Sequence, residues 1–337
     1  MAYKLNAVDF GAVIEKMSTK YRIYAPCKLF GWGTFSDADI VGYSQIQSAG
    51  QIVFDEKSMY SFKEAILPIS QTMFYFTEDE MKEPKAAYEQ AVVFLRGCEL
   101  HALGRLDDIY RSDGKLDFYY EQLRSNAKFI VMGCGSDFEG CFCESMGTNV
   151  VADYDAYIIP EGDSYIIDSR CDDLTGLLEQ LNIGQVEFTP KDVTNTRKVT
   201  LPREIPDSIA ESPIWDEYDA RCIACGRCNF VCPTCTCFTA QDIFYDENPN
   251  TGERRRVWAS CHVDGYTDIA GGMSFRKTNA ERMRFRVLHK IRDHKTRYGR
   301  NMCVGCGRCD DVCPEYISLK ACIGKVRKAC KEVSGNG

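Results

Sequence analysis

Apolar residues in the first part of the chain gather into short runs separated by stretches of helical period. Residues 91–95 (AVVFL) and 129–132 (FIVM) are continuous apolar runs, the pattern of strands buried on both faces. Between them, residues 99–110 and 116–124 space their apolar positions three and four apart, which predicts helices. A helix is also expected over 8–17, with strands near 156–159 and 165–167. Strands alternating with helices predict an α/β domain. The pattern dissolves over 189–213, a polar stretch carrying Pro190, Pro202, Pro206 and Pro213 that reads as a linker. Beyond it only helical periodicity returns. Met283, Val287, Ile291 and His294 share a face of an expected helix over 279–297, and another helix should run from Ile317 through Leu319 and Ile323 toward Val326. Two domains follow, an α/β domain over 1–205 and an all-α domain over 206–337.

Composition adds one decisive fact. Nineteen cysteines in 337 residues are too many for casual use and too sparse for a disulfide scaffold, which points to a cytoplasmic metal protein. No apolar run approaches the roughly 18 residues that cross a bilayer, and the first ten residues, MAYKLNAVDF, have neither the basic lead nor the apolar core of a signal peptide. The whole chain carries −8, yet from Glu253 to Arg300 thirteen basic residues stand against five acidic ones, a local +8. That stretch has few interleaved aromatics and no nucleic-acid motif, so it reads as a docking face for a partner subunit or as compensation for buried anionic clusters nearby.

The cysteines explain the second option. Cys222-x2-Cys225-x2-Cys228-x3-Cys232-Pro233 is repeated as Cys303-x2-Cys306-x2-Cys309-x3-Cys313-Pro314. This is the bacterial run for [4Fe–4S] clusters, in which three thiolates on a tight loop hold one corner each and the fourth cysteine serves the other cluster. The expected ligand sets are Cys222, Cys225, Cys228 and Cys313 for one cluster, and Cys303, Cys306, Cys309 and Cys232 for the other. Ala224 and Gly226, matched by Gly305 and Gly307, keep the backbone close to each cluster. Zinc knuckles are the competing reading, but they leave the third cysteine and the trailing Cys-Pro unexplained. The repeats begin 81 residues apart, far more than in a compact ferredoxin, so the C-terminal domain is expected to be a helical ferredoxin with two clusters between helices.

Four more thiols have a positional logic. Cys98 and Cys134 each follow an expected strand, and parallel strands present ligand sites at their carboxyl ends. Cys141 and Cys143 lie just beyond in the loop GSDFEGCFCESMG and could curl over the same edge, giving ligands for a third [4Fe–4S] cluster. The spacings of 36, 7 and 2 match no general motif, and a redox-active pair at Cys141 and Cys143 is the rival reading. Cys235, Cys237 and Cys261 exceed what two clusters use and read as packing or as neighbours of the clusters, while Cys27, Cys171, Cys322 and Cys330 read as structural. Arg221, Arg227 and Arg308, beside the cluster loops, are candidates for tuning their charge.

Five stretches carry a family resemblance: CFCESMGT (141–148), RCIACGRCNFVCPTCTCF (221–238), ENPNTGERRRVWASC (247–261), AGGMSFR (270–276) and MCVGCGRCDDVCPEYI (302–317). In these the chain resembles the anaerobic sulfite reductase A-subunit family and the related β subunits of cytosolic nickel–iron sulfhydrogenases. The resemblance implies an iron–sulfur electron-transfer subunit that relays electrons from an NADH-oxidising flavoprotein subunit to a sirohaem subunit, where sulfite is reduced to sulfide. The alternative it leaves is the electron-transfer β subunit of a sulfhydrogenase. It also implies the third cluster, since Cys98, Cys134, Cys141 and Cys143 sit where the family has its amino-terminal cysteines.

Substrate chemistry on this chain itself is not expected. The four histidines, His101, His262, His289 and His294, form no HExxH spacing. Gly31-Trp32-Gly33 lacks the third glycine and the strand-to-helix context of a dinucleotide fingerprint, and no Walker loop or G-x-S-x-G elbow is present.

Overall fold

A computed structural model describes residues 1–33, 37–84, 89–112, 114, 116–191, 193–245 and 250–335. The chain separates into two contact-dense units: Met1–Ile66 with Tyr88–Lys198 and Val304–Cys306, and Leu67–Ala87 with Val199–Cys303 and Gly307–Gly337.

The first unit is built on an eight-stranded mixed sheet. Its strands run in the order Gln185–Val186, Ala2–Asn6, Ser164–Ser169, Ala156–Glu161, Ala127–Met132, Ala91–Arg96, Arg22–Leu29 and Ile40–Ile46. The centre of this sheet is parallel: Ala91–Arg96 pairs in parallel with both Arg22–Leu29 and Ala127–Met132, which pairs in parallel with Ala156–Glu161. All six residues of Ala91–Arg96 are buried, as its unbroken apolar run requires. Helix Ala7–Ser18 lays Phe10, Val13, Ile14 and Met17 onto a core shared with Leu5, Ile23, Ile158 and Leu178. Asn6 caps it by accepting a hydrogen bond from the Asp9 amide at 2.9 Å.

Helices Gly97–Tyr110 and Phe118–Ser125 connect the central parallel strands. The second starts two residues later than the periodicity suggested, because Asp117 accepts from the Tyr120 amide at 2.8 Å and so fixes the first turn. The first part of the proline-bearing stretch is tied down. Asn195 is buried and exchanges hydrogen bonds with Glu144, its amide donating to Glu144 and its Oδ1 accepting from the Glu144 amide, both at 2.8 Å. Asp192 in that stretch lies outside the described residues.

The second unit is not purely helical, which corrects the all-α expectation. An antiparallel sheet runs in the order Phe238–Phe244, Gly252–Trp258, Ser70–Phe76, Met81–Lys82. Its central strand, GERRRVW, lacks apolar alternation because arginines do the packing: Arg254 lies over Phe74 and Arg256 over Phe238, with Arg254 gripping Asp242 at 2.6 Å through two bonds. Residues 247–249 of the resembling stretch before it lie outside the described residues. Helix Asn279–Leu288 passes through a π-helical segment, His289–Asp293, into His294–Tyr298, and the chain ends in helix Leu319–Gly335. Among the described residues no helix is long and apolar enough to cross a membrane.

Candidate iron–sulfur centres

The two cysteine repeats share one backbone form. In the first, Ala224 (φ 55°) and Gly226 (φ 74°) are left-handed and helix Arg227–Phe230 follows; in the second, Gly305 (φ 69°) and Gly307 (φ 75°) are left-handed and helix Arg308–Asp311 follows. Left-handed residues interleaved with ordinary ones turn successive amides to one side, the concavity in which backbone N–H groups meet anionic sulfur.

Cys222, Cys225, Cys228 and Cys313 line one pocket, together with His262, Met283 and Arg286. These are the four thiols expected to act together, drawn from both repeats. Burial pushes the Cys222 and Cys228 thiols up, while Cys225 is exposed at the mouth. His262 Nδ1 lies 3.9 Å from Cys222 Sγ, and burial, reinforced by Arg286, Arg282 and Arg276, lowers this imidazole to about 3, so it is neutral. The thiols form walls around a cavity; among the described residues no three His, Cys, Asp or Glu side chains converge on a single point as one metal ion requires.

Of the other expected set, Cys232, Cys303 and Cys309 belong to the second unit. The Cys303 amide donates to the Lys290 carbonyl at 3.1 Å. Lys290 Nζ donates to Thr234 Oγ1 at 2.7 Å, and Thr234 Oγ1 lies 3.3 Å from Cys232 Sγ. Cys306 is buried and is grouped with the first unit, where its carbonyl accepts from Cys141 Sγ at 3.4 Å.

The electrostatics around these thiols is unusual. Arg286 is buried, and its Nε and Nη2 have no hydrogen-bond partner among the described residues. Burial opposes its charge, yet the thiols of Cys228, Cys309, Cys235 and Cys232 hold it well above the ordinary arginine value. Lys290 is in the same position: burial opposes its charge, but Cys232, Cys235 and Cys303 more than reverse the effect. An uncompensated buried ion costs several kcal/mol. A four-thiolate [4Fe–4S] cluster has net negative charge and many sulfur acceptors, so these residues fit it. Of the sequence candidates for this role, Arg221 instead forms an exposed ion pair with Glu217 at 3.7 Å, Arg227 is exposed beside the first pocket, and Arg308 is buried. Arg286 and Lys290 were counted in the basic stretch but not singled out, because they lie 54 or more residues from any first-repeat cysteine near them.

In the first unit, Cys98 lies in the first turn of helix Gly97–Tyr110 and Cys134 just past strand Ala127–Met132, at the carboxyl ends of two adjacent parallel strands. Arg96 Nη1 bridges these ends by donating to the Gly133 carbonyl at 3.1 Å. Cys141 and Cys143 are buried. Burial pushes the Cys143 thiol up to about 11, with further contributions from Cys141 and Cys134, so these three thiols sense one another. Cys143 Sγ donates to Asn195 Oδ1 at 3.4 Å.

The extra thiols are not inert packing alone. Cys261 donates to Cys237 and brings that thiol down to about 6, and Cys261 in turn accepts from Asn229 Nδ2 at 3.0 Å. Cys235 hydrogen-bonds Cys232 and lowers it well below the usual thiol value. Cys322 meets the Tyr218 hydroxyl at 3.0 Å, and Cys27 sits in the sheet core.

Residues 221–317 match the family model described as a 4Fe-4S dicluster domain, which spans both cysteine repeats and supports two [4Fe–4S] clusters. No solved structure matches the chain. Over 344 aligned positions the chain is 27% identical to sulfhydrogenase 2 subunit beta of Pyrococcus furiosus, covering 96% of this chain and 98% of that one.

Proposed function

We propose that this chain is the iron–sulfur electron-transfer subunit of a multisubunit redox complex, with one [4Fe–4S] cluster on Cys222, Cys225, Cys228 and Cys313 and another on Cys303, Cys306, Cys309 and Cys232. The observation that carries the reading is the pocket walled by four thiols from both repeats and backed by a buried arginine with two unsatisfied donors. A [4Fe–4S] cluster, when bound, takes up and gives back one electron at a time. The chain supplies the rest: cysteine loops that fix position, left-handed turns that aim amides inward, and a helix that brings cation charge where water is excluded.

A third cluster on Cys98, Cys134, Cys141 and Cys143 is part of the proposal. It is supported by the placement of two of these thiols at adjacent strand ends and by the mutual influence of Cys134, Cys141 and Cys143. Anaerobic iron and sulfide quantitation tests it: roughly 12 irons per chain are expected with three clusters and roughly 8 with two. A count near 8 that the double substitution Cys98→Ser, Cys141→Ser leaves unchanged would remove the third cluster from the reading.

For the partners, the near full-length likeness to a sulfhydrogenase β subunit favours a place beside the other subunits of a sulfhydrogenase-type complex. The sulfite reductase reading, whose partners would be an NADH-oxidising flavoprotein and a sirohaem protein, rests on the five resembling stretches. Purification of the native complex separates the two: nickel is expected for the first and sirohaem for the second.

A further inference from the structure

Arg282, Arg286, Lys290 and His294 fall four residues apart along one continuous helical rod, and all four are buried. In an α-helix a four-residue step drifts by about 40° per repeat. The π-helical segment His289–Asp293 turns more slowly and drifts the other way, which keeps the four on one stripe. The ends of the stripe are satisfied by ordinary protein partners. Arg282 donates to Asn279 Oδ1 at 2.9 Å and to Asp264, and His294 Nδ1 meets the Arg300 carbonyl at 2.8 Å. The middle is different. Arg286, on the wall of the Cys222, Cys225, Cys228 and Cys313 pocket, keeps two N–H groups that meet no partner among the described residues, and Lys290 reaches Cys232 through Thr234 while its carbonyl holds the Cys303 amide.

We infer that Arg286 and Lys290 are positioning residues that set the reduction potentials of the two clusters, Arg286 acting chiefly on the Cys222, Cys225, Cys228 and Cys313 cluster and Lys290 chiefly on the Cys303, Cys306, Cys309 and Cys232 cluster. The inference rests on the cluster assignment proposed above. Reduction adds one negative charge to a cluster, and a fixed cation in a water-poor site favours that state. Arg286 lines the pocket of Cys222, Cys225, Cys228 and Cys313. Lys290 reaches Cys232 through Thr234, its carbonyl holds the Cys303 amide, and it is not part of the lining of that pocket. Among the described residues neither cation has an acidic side chain bonded to it as Arg282 has in Asp264, so sulfur is the negative charge each is placed to answer.

One measurement on the full chain tests this. In anaerobic redox titrations followed by electron paramagnetic resonance, with signals assigned by Cys225→Ser and Cys309→Ser, Lys290→Met should lower the potential of the second cluster and leave the first in place. Arg286→Met should lower the potential of the first cluster by more than that of the second, and Arg286→Lys should restore most of the shift. Equal shifts of both clusters in either variant, or no shift in either variant, would each overturn the inference. A wild-type chain that takes up no iron would instead overturn the cluster sites themselves.

Discussion

Replacing Gly305 by alanine should be among the most damaging single-methyl additions in the protein. Gly305 sits at φ 69°, and a Cβ there would lie 2.6 Å from the Phe142 carbonyl oxygen and 2.7 Å from the Cys143 nitrogen. Both are backbone atoms and have no rotamer through which to yield. The natural control is Gly299, at φ 75°, where a Cβ meets nothing within 4 Å. Each substitution pays the left-handed penalty of about 1–2 kcal/mol, partly offset by about 0.4–1 kcal/mol from a less flexible unfolded chain. At Gly305 the segment must also retreat by several tenths of an ångström. That strains the Phe142 amide to Gly305 carbonyl bond, 2.7 Å long, and the Thr148 Oγ1 to Val304 carbonyl bond, also 2.7 Å. A buried polar group left unpaired costs about 1–3 kcal/mol, so Gly305→Ala should be about 2–4 kcal/mol worse than Gly299→Ala. Denaturant unfolding under anaerobic, reducing conditions gives the difference, and hydrogen exchange at the Phe142 amide localises it. If Gly305→Ala costs no more than Gly299→Ala and the Phe142 amide keeps its protection, the close packing of Val304–Cys306 on the Cys141–Cys143 loop is wrong.

Two further outcomes are open to direct measurement. Cys237 is half-buried and held near 6, chiefly by the bond from Cys261, so it is mostly thiolate at pH 7. Iodoacetamide mapping by mass spectrometry should label it ahead of Cys27 and Cys330, whose thiols burial pushes up, with the lead fading as pH falls through 6 and lost in Cys261→Ala. Thr278 and Glu281 form a capping box at the start of the helix that carries Arg286, Thr278 Oγ1 accepting from the Glu281 amide at 3.2 Å and Glu281 from the Thr278 amide at 3.1 Å. Thr278→Ala should cost about 1 kcal/mol in thermal or denaturant unfolding, and Thr278→Ser should recover it.

The legible parts of this chain are those where one residue type does one job. Continuous apolar runs mark the buried strands Ala91–Arg96 and Ala127–Met132, and thiol spacing groups Cys313 with Cys222, Cys225 and Cys228, the four that line one pocket. Reading fails where polar residues are interior. Strand Gly252–Trp258 buries Glu253 and Arg256, and the rod from Asn279 to Tyr298 buries Arg282, Arg286 and Lys290, so hydropathy marks the first as loop and the second as half exposed. A basic stretch beside cysteine repeats could mean either a surface for a partner or compensation for buried negative charge. Two of its members, Arg286 and Lys290, are fully inside, and their charges answer to thiols. Nothing local to Ser70–Phe76 announces that it joins a sheet with strands some 180 residues later, because its partner register is set by long-range pairing such as Phe74 with Arg254.

The two cysteine loops pose a last question that the packing answers: why alanine stands at 224 where the second repeat has glycine at 305. Both positions need the same left-handed backbone, φ 55° and φ 69°, so backbone geometry alone would favour glycine twice. The surroundings differ. The first loop is open, with Ile223 58% exposed and Cys225 exposed, whereas in the second Cys303, Val304 and Cys306 are all buried. At 305 glycine is required twice over, since a methyl would strike the backbone of Phe142 and Cys143. At 224 the left-handed strain of about 1–2 kcal/mol is the whole cost, a size the rest of the domain can absorb. The difference between Ala224 and Gly305 therefore follows from packing: one loop keeps a half-buried side chain at a strained position, and the other cannot because another segment of backbone occupies that space.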